Sequence, residues 1–328
     1  MNDRKKRVLI TGINGFVGPH MGQYLYSNHI RVLGIGRRDV SSIKHHRFEY
    51  QSCDLLQPSA AISLIHRFNP DYVIHLAAEN GVQESWNNPA ITLRSNILAA
   101  LNIMEAVRRH PTGRFKGLLL IGSAHEYGDN FPDPTPRTEE TPLRPSSPYG
   151  WSKMLQTQMA LMYASLYSVP VIIARTFNLI GPGRSRGICA KIAEQVVEME
   201  QGLRPPKLIL GNTKVQRDFL DVRDAVRAYW DLLQLDPVPA GEIFHVCRGS
   251  AYSISELVTL FQKHARVSFD VCTDPALIRK NETLILYGNN KKLCSATGWK
   301  PAFTLEESIR DLLEETRRRY GEKGGEEK

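Results

Sequence analysis

The sequence predicts an α/β fold in which a doubly wound parallel sheet is accompanied by a smaller, discontinuous α/β domain. Two observations predict it. Short apolar strands alternate with helices through the first half of the chain, and a glycine-rich turn separates the first strand from the first helix. The strands are continuously apolar, which is typical of parallel strands that helices cover on both faces. At 328 residues, the chain is long enough to bury a substantial core.

The predicted elements follow one another in a regular order. Residues 7–11 form a compact apolar run that predicts the first strand, and residues 16–27 have the pattern of the first helix. Further strands are predicted from short apolar runs at 30–35, 48–51, 72–76, 117–121 and 169–175. Further helices are predicted at 58–68, 90–109 and 149–167. This succession defines a Rossmann-type domain.

The composition predicts a globular protein of the cytoplasm. The apolar fraction is 42% and the charged fraction is 23%, close to globular averages. No apolar run reaches the ~18–20 residues of a membrane span, and the basic start leads directly into the first strand. The five cysteines lack Cys-x-x-Cys spacing, which favours reduced thiols in the cytosol and no metal site.

The net charge of +8 raises the question of a nucleic-acid partner. The basic residues are dispersed, and their clusters at 4–7, 37–38 and 317–319 are short. We interpret most of this charge as solvated surface, because net charge concerns non-specific association more than fold. A second contribution is cationic side chains reserved for phosphorylated ligands. We therefore expect no nucleic-acid partner.

A glycine-rich turn lies between the first strand and the first helix. Gly12 allows the tight turn, Gly15 lets the backbone approach a pyrophosphate, and Gly18 permits close packing of the helix on the strand. Free amides at the helix start are suited to an anionic diphosphate. The predicted cofactor-binding residues of this turn are Gly12, Asn14, Gly15, Phe16, Val17 and Gly18.

The end of the second strand indicates which dinucleotide binds. A site that prefers NAD usually has an acid there to hold the ribose hydroxyl. This chain instead has Arg37 and Arg38, with no acid before Asp39. Because guanidinium groups pair well with phosphate, these arginines favour NADP(H) over NAD.

Tyr149 and Lys153 are four residues apart at the start of a predicted helix, and Ser123 closes an apolar strand. Residues four apart share one face of a helix, so phenol and ammonium point into the same pocket. We expect the cation to lower the pKa of the tyrosine and make it a usable acid or base. The predicted catalytic residues are Ser123, Tyr149 and Lys153.

In this order, these motifs resemble those of the extended short-chain dehydrogenase/reductases, from Thr11 to about Asp311. The resemblance implies that Asp54 and Leu55 contact the adenine. It also implies that Lys153 holds the nicotinamide ribose next to Tyr149. It further implies that Leu76, Ala77 and Ala78 form a cofactor-binding segment, with Ala77 along the cofactor, and that Asn96 steadies the central helix.

The second half resembles the GDP-sugar branch of that family, through the segments 174–183, 217–224, 228–230, 274–279 and 297–301. Fixed cations and amides suit a nucleotide diphosphate. The resemblance and the residues after Ser123 supply the candidates for substrate binding. They are His125, Glu126, Asn178, Arg184, Lys191, Arg217, Arg279 and Glu282.

The residues after Ser123 favour a reductase. Related dehydratases have an acid one or two positions beyond the strand-end hydroxyl, whereas this chain has Ala124 and His125. Alanine has no proton to give, and histidine could act as a base but departs from that pattern. Glu126 comes one position too late, and in an extended strand its side chain would point away from His125.

Together these features predict the NADPH-dependent reduction of the C4 ketone of a GDP-linked 4-keto-6-deoxyhexose, giving a GDP-6-deoxyhexose such as GDP-D-rhamnose. Tyr149 would donate the proton and Ser123 would hydrogen-bond the same oxygen. The alternatives are a GDP-mannose 4,6-dehydratase or another nucleotide-sugar 4-epimerase or dehydratase. A remote alternative is a non-catalytic, RNA-binding member of the fold.

The domain boundaries and the assembly follow from the resemblance. We expect residues 1–178, with a returning segment near 217–247, to form the NADP-binding domain. Residues 179–216 and 248–328 would form the nucleotide-sugar-binding domain. The predicted helices at 90–109 and 149–167 carry many apolar residues. The family pairs these two helices into a four-helix bundle, so a homodimer is expected.

Overall fold

The computed structural model describes residues 5–38, 48–110, 113–128, 134–278 and 283–326. Within these ranges, seven strands form a parallel sheet, and the others form smaller sheets of two or three strands. The strands in chain order are β1 (Arg7–Thr11), β2 (Arg31–Gly36), β3 (Glu49–Ser52), β4 (Tyr72–His75), β5 (Gly117–Ser123), β6 (Val171–Thr176), β7 (Asn178–Ile180), β8 (Lys207–Leu210), β9 (Gln216–Arg217), β10 (Phe219–Asp221), β11 (Ile243–Val246), β12 (Tyr252–Ser253), β13 (Asp270–Thr273) and β14 (Ile285–Leu286). The large sheet has the order β11-β6-β5-β4-β1-β2-β3.

Helices connect these strands. In chain order they are α1 (Val17–Ser27), α2 (Pro58–Phe68), α3 (Val82–Asn87), α4 (Pro89–Arg108), α5 (Pro148–Tyr167), α6 (Ile188–Glu200), α7 (Val222–Leu233), α8 (Ile254–His264), α9 (Lys291–Thr297) and α10 (Leu305–Glu326). Short 3₁₀ turns occur at Ala124–Glu126 and Pro275–Leu277. Every strand and helix predicted in the first half is present, with ends displaced by no more than two residues.

The large sheet is covered by helices on both faces, which confirms the predicted doubly wound α/β fold. Successive residues of a strand point to opposite faces. In β1, Val8 and Ile10 share a core with α1 and α7, whereas Leu9 packs in the core that includes α2, α4 and α5. Two buried faces leave no place for polar alternation, and this explains the continuously apolar strands.

The C-terminal half contributes to the large sheet and also builds a separate core. Strand β11 pairs with β6 at one edge of the large sheet, and α7 packs against α1. Apolar residues of α6, α8 and α10 form their own buried cluster, which includes Val196, Phe261 and Ile309. The two-domain division at the boundaries given above remains a prediction.

Two short elements near the site were not predicted. Helix α3 follows β4, and the 3₁₀ turn follows β5. The turn is closed by a capping box, in which Ser123 Oγ accepts from the amide of His125 at 3.2 Å and Glu126 accepts from the amide of Ser123 at 2.8 Å. A Ser-x-x-Glu spacing is the sequence signature of this cap, so the turn could have been predicted.

Candidate active site

The carboxyl ends of the central strands form one edge of the sheet, and several of the predicted site residues lie along it. Thr11 of β1 is in register with His75 of β4, and Ser123 of β5 is in register with Thr176 of β6. The strand order reverses beside β1, because β2 and β3 extend to one side and β4, β5 and β6 to the other. A reversal of this kind opens a ligand crevice at the carboxyl ends of the strands.

The three glycines of the turn between β1 and α1 have different surroundings. Gly12 has φ +69°, and a Cβ there would be 2.7 Å from the amide nitrogen of Ala77. A Cβ on Gly18 would be 2.3 Å from the carbonyl oxygen of Ile13. By contrast, a Cβ on Gly15 would meet only the Gly12 carbonyl oxygen, at 3.2 Å, so the outer side of the turn is open to a ligand.

The start of α1 lies at this open turn. The N-cap residue Phe16 makes no side-chain hydrogen bond to the first amides of the helix. The first amides of a helix lack partners within the helix and bind anions well. The turn therefore fits the diphosphate of a dinucleotide, and the predicted residues Asn14, Phe16 and Val17 lie in it.

Thr11 links the segment after β4 to the glycine turn. Its hydroxyl accepts from the amide of Ala77 at 3.0 Å and contacts Nδ1 of His75 at 2.9 Å. This pair of contacts places the backbone of Leu76 and Ala77 beside Gly12, and Ala78 follows them in the chain. Sequence reasoning missed Thr11 and His75, although a hydroxyl residue at the end of an apolar strand is a usable signal.

The arginines at the end of β2 are accessible. Arg37 has 72% of its side chain exposed and forms an ion pair with Glu79, at 2.8 Å between Nη2 and Oε1. Arg38 is also exposed. Their position fits a phosphate on the adenosine ribose. Glu79, which lies after β4, is an acid at this edge that sequence reasoning did not identify.

Asp54 and Leu55 lie on the same side of the sheet, after β3. Asp54 is exposed and accepts from the amide of Leu56 at 3.0 Å. Leu55 is buried, and its carbonyl accepts from Nδ2 of Asn102 at 2.7 Å. This arrangement gives the segment a fixed backbone with one exposed carboxylate.

Tyr149 and Lys153 lie in the first turns of α5, whose start is well defined. Ser147 caps the helix by accepting from the amide of Gly150 at 3.1 Å, and Pro148 occupies the first helical position. The amide of Tyr149 donates to Ser85 Oγ at 3.2 Å. Both predicted residues are buried, and the tyrosine hydroxyl hydrogen-bonds to Ser123.

Burial controls the protonation of this pair. It raises the pKa of Tyr149 to about 12, and the hydrogen bond from Ser123 acts in the opposite direction. Burial also lowers the pKa of Lys153 to about 8, an effect that the charge of Glu126 opposes. The expectation that Lys153 brings the tyrosine pKa down is therefore wrong here. Desolvation dominates, and Lys153 Nζ donates to Gln156 Oε1 at 2.9 Å.

As a result, Tyr149 holds its proton near neutral pH, while Lys153 is mostly charged. Tyr149 and Lys153 therefore provide a proton donor beside a fixed cation. Asn96 of α4 supports it, because its side-chain amide donates to Ser152 Oγ on α5 at 2.8 Å and exchanges hydrogen bonds with the backbone of Glu79. The described residues contain no group of three or more His, Cys, Asp or Glu that could hold a metal ion.

The 3₁₀ turn after Ser123 directs His125 towards Tyr149 and Glu126 towards Arg175. The half-buried His125 ring lies 5.6 Å from the Tyr149 ring, centroid to centroid, at 75°. Gly150 makes this approach possible, because a Cβ there would be 2.5 Å from the carbonyl oxygen of His125. The expectation that Glu126 contacts substrate is corrected: the backbone turns instead of staying extended, and Glu126 is fully buried against Arg175.

The other substrate candidates lie on the segments after β6. Asn178 Nδ2 donates to the carbonyl of Asp218 at 3.0 Å, and Arg217 Nη1 donates to the carbonyl of Thr283 at 2.8 Å. Arg184 and Lys191 are exposed. Asn178 on β7 thus hydrogen-bonds to the residue that follows Arg217 in the chain, although β7 and β9 belong to different small sheets. Arg279 and Glu282 lie outside the described residues.

The segment that carries Arg184 begins against the start of α1. His20 of α1 contacts the carbonyl of Pro182 at 2.7 Å through Nε2, and a Cβ on Gly183 would be 3.2 Å from the Phe16 ring. The predicted substrate side and the predicted cofactor side therefore meet at the start of α1. Sequence reasoning missed His20, because this contact joins residues that are far apart in the chain.

The fold and this site together define an extended short-chain dehydrogenase/reductase. The family model described as "GDP-mannose 4,6 dehydratase" matches residues 9–312. The chain belongs to this family.

Individual relatives agree with this assignment. The chain is 35% identical, over 97% of its length and 99% of the relative, to GDP-6-deoxy-D-mannose reductase of Pseudomonas aeruginosa. It is 26% identical, over 94% and 93%, to GDP-mannose 4,6-dehydratase of Yersinia enterocolitica. The solved structure of RMD from Pseudomonas aeruginosa complexed with NADPH superposes with a TM-score of 0.83 at 34% identity, covering 96% of this chain and 100% of that one.

Proposed function

We propose that this protein catalyses the NADPH-dependent reduction of the C4 ketone of a GDP-linked 4-keto-6-deoxyhexose, giving a GDP-6-deoxyhexose such as GDP-D-rhamnose. The relative that is 35% identical is named for reduction of a GDP-6-deoxyhexose, and the RMD structure contains NADPH. When bound, NADPH supplies the hydride. Gly12, Gly15 and Gly18 would hold its diphosphate, and Arg37 and Arg38 its 2′-phosphate.

The chain's own residues then act on the substrate oxygen. Tyr149, which keeps its proton near neutral pH, donates it to the oxygen that becomes the product hydroxyl. Ser123 hydrogen-bonds the same oxygen. Donors that are fixed in place before charge develops stabilise a transition state without reorganisation. Lys153 supplies the positive charge beside them and would hold the nicotinamide ribose.

The observation that carries the proposal is the set of side chains around the Ser123–Tyr149 pair. A 4,6-dehydratase must also remove the C5 proton and protonate the departing C6 hydroxyl. Among the described residues of the turn after β5, Glu126 is the only carboxylate, and its oxygens are occupied by buried donors. The proton donor that a reduction needs is present, whereas the carboxylate of the dehydratases is not.

A 4,6-dehydratase is the second candidate, and one contact favours it. His125 lies beside Tyr149 and could serve as the base in place of a carboxylate. Several dehydratases are also among the relatives, at about a quarter identity. The two reactions differ in their use of cofactor, because a dehydratase regenerates its cofactor and consumes none overall.

Mixing the purified protein with NADPH and GDP-4-keto-6-deoxymannose tests the proposal, with GDP-mannose as the parallel substrate. We expect stoichiometric loss of the nicotinamide absorbance with the keto sugar and none with GDP-mannose. Conversion of GDP-mannose to a keto product without NADPH consumption would establish the dehydratase instead. Inactivity with both sugars would contradict the proposal and direct the search to other nucleotide bases.

We further propose that the protein is a homodimer formed through α4 and α5. Large apolar side chains at helical spacing are exposed on these two neighbouring helices. They are Ile91 and Leu98 on α4, and Trp151, Leu155, Met162, Leu166 and Tyr167 on α5. Helices α4 and α5 pack side by side, so exposed apolar side chains of both helices are available to one interface. The same side chains of a second copy would cover them and complete a four-helix bundle.

Leu166→Glu is expected to weaken the dimer by about 10²-fold or more, because burying an unpaired carboxylate costs several kcal/mol and each 1.4 kcal/mol is tenfold. Leu203→Glu is the matched control, since both leucines are 67% exposed and Leu203 lies outside α4 and α5. Light scattering after size exclusion measures the mass of each variant. A monomeric wild type, or a dimer that survives Leu166→Glu, would contradict the proposed interface.

The cytoplasm remains the predicted location. The five cysteines are free thiols, as expected in a reducing compartment. Among the described residues, α4 alone is long and apolar enough to cross a membrane by length and composition, and half of that segment is buried. Its packing against α2 and α5 accounts for this composition.

A further inference from the structure

The carboxylate of Glu126 is buried next to the backbone of Ser123. Oε1 of Glu126 accepts from the amide of Ser123 at 2.8 Å and from the hydroxyl of Thr157 at 3.2 Å. Oε2 accepts from Nε and Nη2 of Arg175, at 3.1 and 2.9 Å. All four partners are donors, which suits an ionised carboxylate. Burial raises the pKa of Glu126, and the positive charge of Arg175 opposes that increase. The exposed fractions of the Glu126 and Arg175 side chains are 0% and 1%.

The surrounding chain leaves room for this ion pair. A Cβ on Gly122 would be 2.7 Å from Oε1 of Glu126, so the glycine before the catalytic serine provides the space. Arg175 is held in turn, because its Nη1 donates to the hydroxyl of Tyr127 at 2.8 Å. A buried pair contributes little net stability, but its partners fix one arrangement of the groups around them.

The carboxylate connects the elements that carry the catalytic residues. Ser123 ends β5, and Thr157 lies on α5 one turn beyond Lys153. Tyr149, Lys153 and Thr157 are spaced by four and therefore share one face of the helix. Through Ser123 and Thr157, Glu126 ties the end of β5 to the same face of α5 that presents the tyrosine and the lysine.

The charge of Glu126 also acts on Lys153. Burial lowers the pKa of Lys153 to about 8, and the Glu126 carboxylate opposes that decrease. The other ionisable groups around the ammonium are Tyr149 on α5 and His75 on β4. Burial raises the pKa of Tyr149 and lowers that of His75 to about 3, so both are neutral. Within the described residues, Glu126 is thus the negative charge that favours the charged form of Lys153.

We propose that Glu126, held by Arg175, is a positioning residue of the reduction: it fixes Ser123 against α5 and supplies the counter-charge of the Lys153 ammonium. This inference rests on the proposed function. It assigns Glu126 no contact with substrate or cofactor. It also explains an arginine in β6, a strand whose residues are all buried.

The double variant Glu126→Gln/Arg175→Gln tests the charge. It replaces the ion pair by two amides that can hydrogen-bond to each other, and thereby avoids an isolated buried charge. Loss of the carboxylate lowers the pKa of Lys153 further, so the charged lysine is lost at lower pH. The pH at which activity is lost on the alkaline side of the profile (the basic limb) should shift to a lower pH by about one unit. The same shift is expected for NADPH affinity and for kcat. We expect kcat at its optimum to fall about tenfold or more.

The matched control is Glu200→Gln/Arg317→Gln. Arg317 Nη2 lies 2.6 Å from Glu200 Oε1, the two side chains are 11% and 6% exposed respectively, and the pair joins α10 to α6. Replacing the Glu200–Arg317 pair should change the unfolding temperature without shifting the basic limb of the pH profile. An unshifted limb in the Glu126/Arg175 variant would overturn the proposed role of the charge.

A second variant, Glu126→Asp, tests the positioning. Aspartate keeps the negative charge and can still pair with Arg175, but its shorter side chain does not reach the amide of Ser123 as well. The basic limb of the pH profile should therefore stay near its wild-type pH, while kcat falls. An unchanged kcat would overturn the positioning role. NADPH affinity, followed by nicotinamide fluorescence, needs no sugar. A wild type that binds NADPH but does not reduce the keto sugar would therefore contradict the proposed function alone, and the titrations would still test Glu126.

Discussion

Replacing Tyr149 with phenylalanine is expected to lower kcat for the keto sugar by about 10²–10³-fold, the usual effect of removing one donor to a developing oxyanion. The phenol is the proton donor of the proposed reaction, and its hydroxyl is the group bonded to Ser123. The ring itself would remain, so the packing against His125 should be kept. Single-turnover oxidation of NADPH measures the chemical step directly.

NADPH affinity should stay nearly unchanged in this variant, because Lys153 and the glycine turn are untouched. Tyr163→Phe is the matched control. Tyr163 lies on the same helix and donates its hydroxyl to Glu105 at 2.7 Å, remote from Ser123. The control should lose some stability and little turnover. Equal kcat values for Tyr149→Phe and wild type would remove Tyr149 from the mechanism.

Gly18→Ala is expected to weaken NADPH binding by about 10²-fold, the equivalent of one or two hydrogen bonds to a charged group. The new Cβ would lie 2.3 Å from the carbonyl oxygen of Ile13 and 2.5 Å from its carbonyl carbon. Both atoms are backbone, so the start of α1 must move away from β1, and the amides that face the diphosphate move with it. Overpacking of this kind also destabilises by about 1–3 kcal/mol.

Gly22→Ala is the control on the same helix, one turn further on. Its Cβ would meet side-chain atoms, namely the Phe48 ring at 2.9 Å and the Cδ1 atom of Ile13 at 3.2 Å. Side chains can yield, and alanine is a better helix former than glycine by about 1 kcal/mol, so affinity should hardly change. Fluorescence titration with NADPH and thermal unfolding measure both variants. Equal losses in the two variants would show that the effect is not specific to the glycine turn.

The local elements of the first half could be predicted because each carries its own signal. Strand β1 is a short apolar run, α1 follows a glycine-rich turn, and α5 begins at Ser147 and Pro148. The proposed catalytic residues could be selected for the same reason, since Tyr149 and Lys153 are one helical turn apart and Ser123 ends a strand. These patterns depend on residues close in the chain, and local backbone geometry relates them.

The surroundings of Glu126 could not be predicted from local patterns. Its place was inferred from an extended strand, whereas the backbone closes into a capped 3₁₀ turn. Its partners Thr157 and Arg175 lie 31 and 49 residues away. An arginine inside a fully buried strand indicates that a partner exists, but the identity of that partner depends on the order of β5 and β6 in the sheet.

The sequence by itself determined the alternation of strands and helices, the glycine turn, the arginines after β2 and the serine, tyrosine and lysine of the site. Only the tertiary structure decided their protonation and their supports. Burial opposes the charged form, so the pKa of Tyr149 rises to about 12 and that of Lys153 falls to about 8. Burial and partners such as Ser85 and Glu126 arise when strands and helices distant in the chain pack together, and short-range patterns do not record that packing.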